Sequence, residues 1–201
     1  MIDRIYLRVA PLPALALILA ACTTPGQVSV DEQAPQQVVG GAEAQAAGNL
    51  LPSDIAISIY QGEGLEDGEE VLFSELLAQG RPVVLNFWAG LCPPCRLEMP
   101  DLQSVFDDYQ DQVLLFGLDI GPFTGLGSRD DGRALLQELG ISYPAGTTFD
   151  SEVVRNYEVL GMPSTYFITP QGEIVRTWTG LLTRDKLAEL VGELLEASTK
   201  P

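Results

Sequence analysis

Two cysteines separated by two prolines, Cys92 and Cys95, are the residues of this chain best suited to chemistry. They lie in the stretch FWAGLCPPCRLEMP, which runs from 87 to 100. Such a pair can ligate a metal, close a small loop or exchange electrons with another disulfide. Zinc needs about four ligands, but the chain has only 3 cysteines and no histidine. A structural disulfide across so short a loop removes little chain entropy. The pattern therefore favours a redox pair, and we predict neither a metal nor a cofactor.

The neighbouring sequence predicts where the two thiols lie. Residues 82–88 form an apolar run typical of a strand buried on both faces. A helical pattern follows from Cys92 to about Tyr109, with apolar residues at Leu97, Leu102, Val105 and Phe106. Cys92 is thus expected at the helix N-terminus, where unpaired amides and the helix dipole stabilise a thiolate.

These positions predict different roles for the two thiols. Cys92 is the expected nucleophile, and Cys95, one turn later and nearer the core, is the expected resolving thiol. Pro93 and Pro94 fit the first helical turn, because the amides missing there would have no partner within the helix.

The rest of the chain alternates strand and helix patterns. Strands are predicted at 55–60, 70–73, 113–120, 165–169 and 174–179, and helices at 74–79, 130–139, 151–157 and 184–197. The strand before the cysteines, the helix that holds them and the strand at 113–120 predict a parallel crossover. The sequence therefore predicts an α/β domain with a central mixed sheet flanked by helices.

Composition and charge exclude some partners. The chain of 201 residues is 46% hydrophobic and carries a formal net charge of -17. Its length fits one core-forming domain once the N-terminal segments are set aside. A surface this acidic repels phosphate backbones, so we expect no nucleic-acid partner.

The N-terminal segment has the pattern of an export signal. Arg4 and Arg8 precede an apolar run at 9–21 that ends in Leu-Ala-Ala before Cys22. This looks like a bacterial lipoprotein signal at 1–21, with Cys22 as the acylated residue. An uncleaved anchor or an ordinary secretory peptide is the alternative. Residues 22–50 are predicted to be a disordered tether, with a short helix at 42–47 as the alternative, and residues 51–201 to be the folded domain.

Several blocks together resemble one protein family. They are LNFWA at 85–89, CPPCR at 92–96, EMP at 98–100 and GMPST at 161–165. In this order they are similar to the thioredoxin superfamily, and more narrowly to its extracytoplasmic TlpA/ResA-type reductases. The resemblance implies a thioredoxin-like fold with an N-terminal β-hairpin and a central insertion at 121–139. Gly90 and Leu91 depart from the family, in which many members carry a polar residue and Trp there.

The resemblance also implies roles for single residues. Pro163 is expected to be a cis-proline that faces the cysteines, and Met162 to offer its backbone to a bound peptide strand. Trp88 and Pro93, beside the cysteines, complete the expected substrate-binding set. Glu98 is expected to accept the proton of Cys95 and to be ionised near neutral pH.

The Glu98 assignment has an alternative. Thioredoxins carry an aspartate where this chain has Asn86, and an amide cannot take a proton. The resemblance to the ResA-like branch implies that Glu98, three residues after Cys95, replaces that aspartate. The alternative for Glu98 is a solvated carboxylate on the helix surface.

Together these patterns predict a membrane-tethered, extracytoplasmic thiol-disulfide oxidoreductase. We expect it to be a monomer that reduces protein disulfides, for example those of apocytochrome c before haem attachment, with a membrane thiol reductase as electron donor. Two alternatives stay open at this point. One is an oxidase of secreted thiols, and the other is a redox-sensing binding module. A thiol peroxidase is disfavoured because no Thr-x-x-Cys motif precedes either cysteine.

Overall fold

A computed structural model of the chain describes residues 42–44 and 49–199, which form a mixed β-sheet with helices on both faces. The strands are β1 (Ala42–Ala44), β2 (Asn49–Leu50), β3 (Ala56–Gln61), β4 (Glu70–Leu72), β5 (Val83–Trp88), β6 (Leu114–Asp119), β7 (Ala145–Thr148), β8 (Ser164–Ile168) and β9 (Glu173–Thr179). The helices are α1 (Phe73–Leu77), α2 (Pro93–Tyr109), α3 (Gly121–Thr124), α4 (Arg129–Leu139), α5 (Glu152–Asn156) and α6 (Arg184–Ser198).

The sheet order is β1-β9-β8-β5-β6-β7-β3-β4, with β2 also paired to β9. Strands β5, β6 and β7 run parallel, whereas β8, β9, β3 and β4 pair antiparallel with their neighbours. The predicted mixed sheet, the N-terminal hairpin of β3 and β4, and the parallel crossover from β5 through α2 to β6 are confirmed. Helices α3 and α4 occupy the predicted central insertion.

Two apolar clusters hold the helices to the two faces of the sheet. Every residue of β5 and β6 is buried, as expected for central parallel strands. Alternate residues of β5 point to opposite faces, so Val84 and Trp88 join the cluster under α2, α4 and α6, while Leu85 and Phe87 join the one that contains α1 and α5. The cysteines therefore lie on the α2 face.

The structure corrects the boundary between tether and domain. The sequence assigns residues 22–50 to a disordered tether, yet β1 and β2 pair antiparallel with β9. Strand pairing at a sheet edge uses backbone groups, so it needs no apolar pattern. The alternative helix at 42–47 is also wrong at Ala42–Ala44, which is a strand. The predicted signal, Cys22 and most of the tether lie outside the described residues.

Candidate active site

Strand β5 delivers the cysteines to the start of α2. After Trp88, three residues lead to Cys92, whose extended backbone (φ -91°, ψ 109°) makes it the N-cap of the helix. The backbone N–H of Cys95 donates to Cys92 Sγ at 3.3 Å. The sulfur therefore occupies the position that a capping oxygen takes in other helices, at the positive end of the dipole. Pro93 and Pro94 begin the helix, as predicted.

Cys92 and Cys95 form a disulfide, with their Cα atoms 5.3 Å apart. Both side chains are nearly buried, with 3% and 1% exposure. Cys92 nevertheless lines an open depression with Leu91, Pro93 and Leu97. Leu97, one of the apolar residues of the predicted helical pattern, is 69% exposed at this edge. The disulfide is thus reached from the side of Cys92, with Cys95 behind it.

Glu98 lies about one helical turn after Cys95 on α2 and is buried, with 1% exposure, so the alternative of a surface carboxylate is wrong. Its two oxygens accept hydrogen bonds from the backbone N–H of Leu182 at 2.6 Å and from Asn86 Nδ2 at 2.9 Å. Burial raises the pKa of Glu98 to about 8, against the lowering effect of these two bonds. Glu98 is therefore mostly protonated at neutral pH when the disulfide is formed, which corrects the expectation of an ionised group.

Asn86, on β5, holds the Glu98 carboxyl in place by a hydrogen bond. Its Nδ2 donates to Glu98 Oε1 and, at 3.0 Å, to Thr165 Oγ1 of β8. Its Oδ1 has no hydrogen-bond partner among the described residues. Asn86 can therefore offer Glu98 either a donor, its Nδ2, or an acceptor, its Oδ1.

The peptide bond between Met162 and Pro163 is cis, as the resemblance implies. The register of β5 with β8 pairs Phe87 with Ser164, which sets Pro163 beside Trp88, at the end of the sheet that carries the cysteines. Within the described part of the chain, no hydrogen bond involves the backbone N–H or C=O of Met162. These two groups are available to pair with another strand.

Trp88, which was expected to pack beside the disulfide and to bind substrate, lies in the core. It is fully buried and belongs to the same apolar cluster as Cys92 and Cys95. A Cβ atom added at Gly117 would lie 2.9 Å from Trp88 Nε1, so β6 packs directly against the indole. Trp88 therefore supports the disulfide from within the core and does not form part of the surface that a substrate could touch.

The insertion packs on the loop that leads to Cys92, a contact that the sequence did not indicate. The N–H of Leu91 donates to the C=O of Leu126 at 2.8 Å. A Cβ atom at Gly90 would lie 2.5 Å from the backbone of Asp131 and Gly132 in α4. Gly90 is thus required because the helix backbone occupies the space of a side chain.

A second buried acid, Asp119, lies beside the site and was also missed. It pairs in register with Trp88 and is fully buried. It accepts hydrogen bonds from Tyr60 Oη at 3.0 Å and from the N–H of Gly121 at 2.8 Å. Burial raises the pKa of Asp119 to about 6. A carboxylate at the end of a buried apolar strand was the available signal.

Residues 42–44 and 49–199 contain no cluster of three or more His, Cys, Asp or Glu that could hold a metal ion. Over the same ranges, no helix has both the length and the apolar character needed to cross a bilayer.

The chain matches one protein family model and is similar to several thiol-disulfide oxidoreductases. The AhpC/TSA family model matches residues 56–177. The chain is 33% identical over 128 residues to the thiol-disulfide oxidoreductase ResA of Oceanobacillus iheyensis, a match that covers 64% of each chain. It is 26% identical over 165 residues to ResA of Bacillus subtilis, covering 81% of this chain and 83% of that one. The crystal structure of StoA from Bacillus subtilis superposes with a TM-score of 0.57 at 22% identity, covering 71% of this chain and 99% of StoA.

Proposed function

Because this chain belongs to the AhpC/TSA family and is a thiol-disulfide oxidoreductase of the ResA and StoA type, we propose that it reduces disulfides in other proteins outside the cytoplasm. In this proposal Cys92 attacks, Cys95 resolves and Glu98 handles the proton. The observation that carries the proposal is the disulfide at the start of α2 with the buried Glu98 carboxyl about one helical turn after Cys95.

The reaction begins with the Cys92 thiolate of the reduced protein. It attacks one sulfur of a substrate disulfide, forms a mixed disulfide and releases the other substrate sulfur as a thiolate. The Cys95 thiol then attacks Cys92 Sγ, and its proton passes to the Glu98 carboxylate. The second substrate sulfur leaves as a thiolate, so the substrate gains two electrons and the Cys92–Cys95 pair loses them.

The raised pKa of Glu98 supports its role in this step. A carboxyl with a pKa of about 8 is close to the usual thiol value, and proton transfer is efficient when donor and acceptor are matched near the working pH. The protonated Glu98 favoured in the disulfide form is the product that this transfer would leave. The proton then returns to solvent or to Cys95 when the pair is reduced again.

Substrate peptides would be held by the groups around Cys92. In this proposal the backbone of Met162, next to Pro163, pairs with an extended substrate segment, and Pro93 lies beside the reacting sulfur. We further propose that acylated Cys22 tethers the domain to a membrane. A membrane thiol reductase would then restore the dithiol, and apocytochrome c is one candidate substrate.

The redox state of the pair in the cell tests the direction of the reaction. Acid quenching followed by alkylation of free thiols separates reduced from oxidised protein on gels. A reductase with its own electron supply is expected to be mostly reduced, and a mostly oxidised population would overturn the proposed direction in favour of an oxidase. Turnover of insulin disulfides in the presence of excess dithiothreitol, which reduces the Cys92–Cys95 pair again after each cycle, tests catalysis itself, because a redox sensor would exchange without repeated turnover.

A further inference from the structure

The end of the sheet that carries Cys92 also carries a second surface. Strands β5, β6 and β7 are parallel, so the segments that follow them emerge at the same end, and antiparallel β8 begins there. Phe123 follows β6, helix α5 follows β7, and Leu160 precedes β8. These three elements therefore meet on the side of the active site that is opposite α2.

Between them lies an open depression of about 700 Å³, which we call the lateral pocket. Its apolar wall consists of Phe123, Val154, Val159 and Leu160, and its rim carries Arg155 and Glu158. The volume is in the range of sites that take a small ligand or a bulky side chain.

Part of the apolar wall of the lateral pocket is exposed to solvent. Leu160 is 94% exposed, although Phe123, Val154 and Val159 pack partly against the α1 and α5 cluster. One exposed leucine is ordinary, but one that extends an apolar wall marks a contact surface. Glu158 has a left-handed backbone, with φ at 50°, which is uncommon for a residue other than glycine.

Met162 joins the lateral pocket to the disulfide. It lies two residues after Leu160 and packs against both apolar clusters, including the one that holds Cys92. Its unpaired backbone groups precede Pro163. A strand that paired with Met162 would continue along the chain toward Leu160, so one extended segment could reach both places.

We propose that the lateral pocket binds an aliphatic or aromatic side chain of a substrate polypeptide, in the extended segment that carries the reacting cysteine. This inference rests on the proposed function and adds a substrate class, namely chains with an apolar residue a few positions from the disulfide. A second copy of this chain is a poor occupant, because two molecules of net charge -17 repel each other.

The test compares small and extended substrates. Each substrate is a disulfide-linked peptide that varies at one position, from the second to the sixth residue on either side of the cysteine. At that position one peptide of each pair carries leucine and the other carries serine. A small aromatic disulfide reagent, which reaches only Cys92, reports exchange alone. Leu160→Ser removes the apolar wall with little risk to folding, since the side chain is exposed. Leu50→Ser is the matched control, because Leu50 is 73% exposed and pairs with Glu173 at the opposite end of the sheet.

With excess dithiothreitol to restore the dithiol after each cycle, we expect the wild-type protein to reduce the leucine peptide about tenfold faster than the serine peptide at one position, measured as kcat/KM above the uncatalysed rate. Leu160→Ser should abolish this preference, whereas Leu50→Ser should keep it, and both should react normally with the small reagent. Equal rates for leucine and serine at every position, or equal effects of the two substitutions, would overturn the proposal that the lateral pocket binds an apolar side chain of the substrate. Failure of the wild-type protein to react with the small reagent would instead overturn the proposed function.

Discussion

Replacing Glu98 by glutamine tests the buried carboxyl most directly. Glutamine has nearly the same shape, its Oε1 can still accept from Leu182 N–H, and its amide cannot ionise or take a proton. The substitution therefore removes the charge while keeping the packing. It should change two measurable quantities, which are the pH dependence of stability and the rate at which Cys95 resolves a mixed disulfide.

The size of the stability effect follows from the raised pKa. Burial raises the pKa of Glu98 from 4.5 to about 8. The ionised form is therefore less stable by on the order of 5 kcal/mol, since each pKa unit corresponds to ~1.4 kcal/mol. Between these values the folded state holds a proton that the unfolded state has lost. The free energy of unfolding therefore falls by ~1.4 kcal/mol per pH unit as the pH rises through this window.

Glu98→Gln should remove this contribution. The contribution of Glu98 is fully present below pH 4.5 and lost by about pH 8, so the two proteins should have similar stability at pH 4.5. At pH 9 the variant should be more stable by a few kcal/mol. Urea unfolding of the oxidised proteins at intervals from pH 4.5 to 9 measures this difference. Parallel curves for the two proteins would refute the idea that Glu98 ionises with a raised pKa.

The kinetic effect concerns the second chemical step only. Cys92 owes its reactivity to its place at the start of α2, so its attack on a substrate should be nearly unchanged in Glu98→Gln. Resolution by Cys95 should slow by about 10²-fold, the lower end of what general-base catalysis contributes. Stopped-flow fluorescence from pH 6 to 9, combined with alkylation rates for each thiol, separates the two steps. Identical resolution rates in the two proteins would remove Glu98 from the mechanism.

Three further predictions concern the thiols and the buried contacts around them. Cys95→Ala should accumulate mixed disulfides on non-reducing gels and Cys92→Ala almost none, and equal trapping would contradict the assigned roles. Gly90→Ala should lower the free energy of unfolding by about 1–3 kcal/mol because the new Cβ meets the backbone of α4. The control Gly192→Ala, in an open position of α6, should raise that free energy by about 0.5–1 kcal/mol, so loss of stability in both would argue against a specific clash. Tyr60→Phe should remove a hydrogen bond from buried Asp119 and raise the pKa of Asp119 above about 6. The free energy of unfolding should then fall more steeply between pH 4 and 7 than in the wild type. A pH dependence of stability like that of the wild type would contradict this.

The parts of the fold that the sequence predicted are those with a strong apolar signal. Strands β5 and β6 are continuous apolar runs, and α6 has a clear helical period, so each was predicted to within a few residues. Strand β7 was missed because Ala145–Thr148 reads AGTT, which has little apolar character although all four residues are buried. A Cβ atom at Gly146 would lie 2.7 Å from Ser58 O of β3. Strand β7 therefore needs a residue without a side chain here, because the backbone of β3 lies so close.

The site was predicted in part for a similar reason. The spacing of Cys92 and Cys95 is local, so the sequence alone indicates a redox pair at a helix start. The burial of Glu98 depends on Asn86 and Leu182, which are distant in sequence, and a glutamate on a helix is more often exposed than buried. The role of Gly90 likewise depends on α4, whose position no local pattern reveals.

The pairing of Asn86 with Glu98 explains why the acid of this site is on the helix and an amide is on the strand. Two carboxyls at hydrogen-bond distance in a buried site cannot both ionise, because each would raise the pKa of the other. Asn86 avoids this, since its Nδ2 donates to the ionised Glu98 and its unpaired Oδ1 could accept from the protonated form after the amide turns. Both protonation states of Glu98 therefore have a partner without movement of the backbone. A group that must take up a proton and release it in every cycle needs this property, and a fixed donor alone would favour only the charged state.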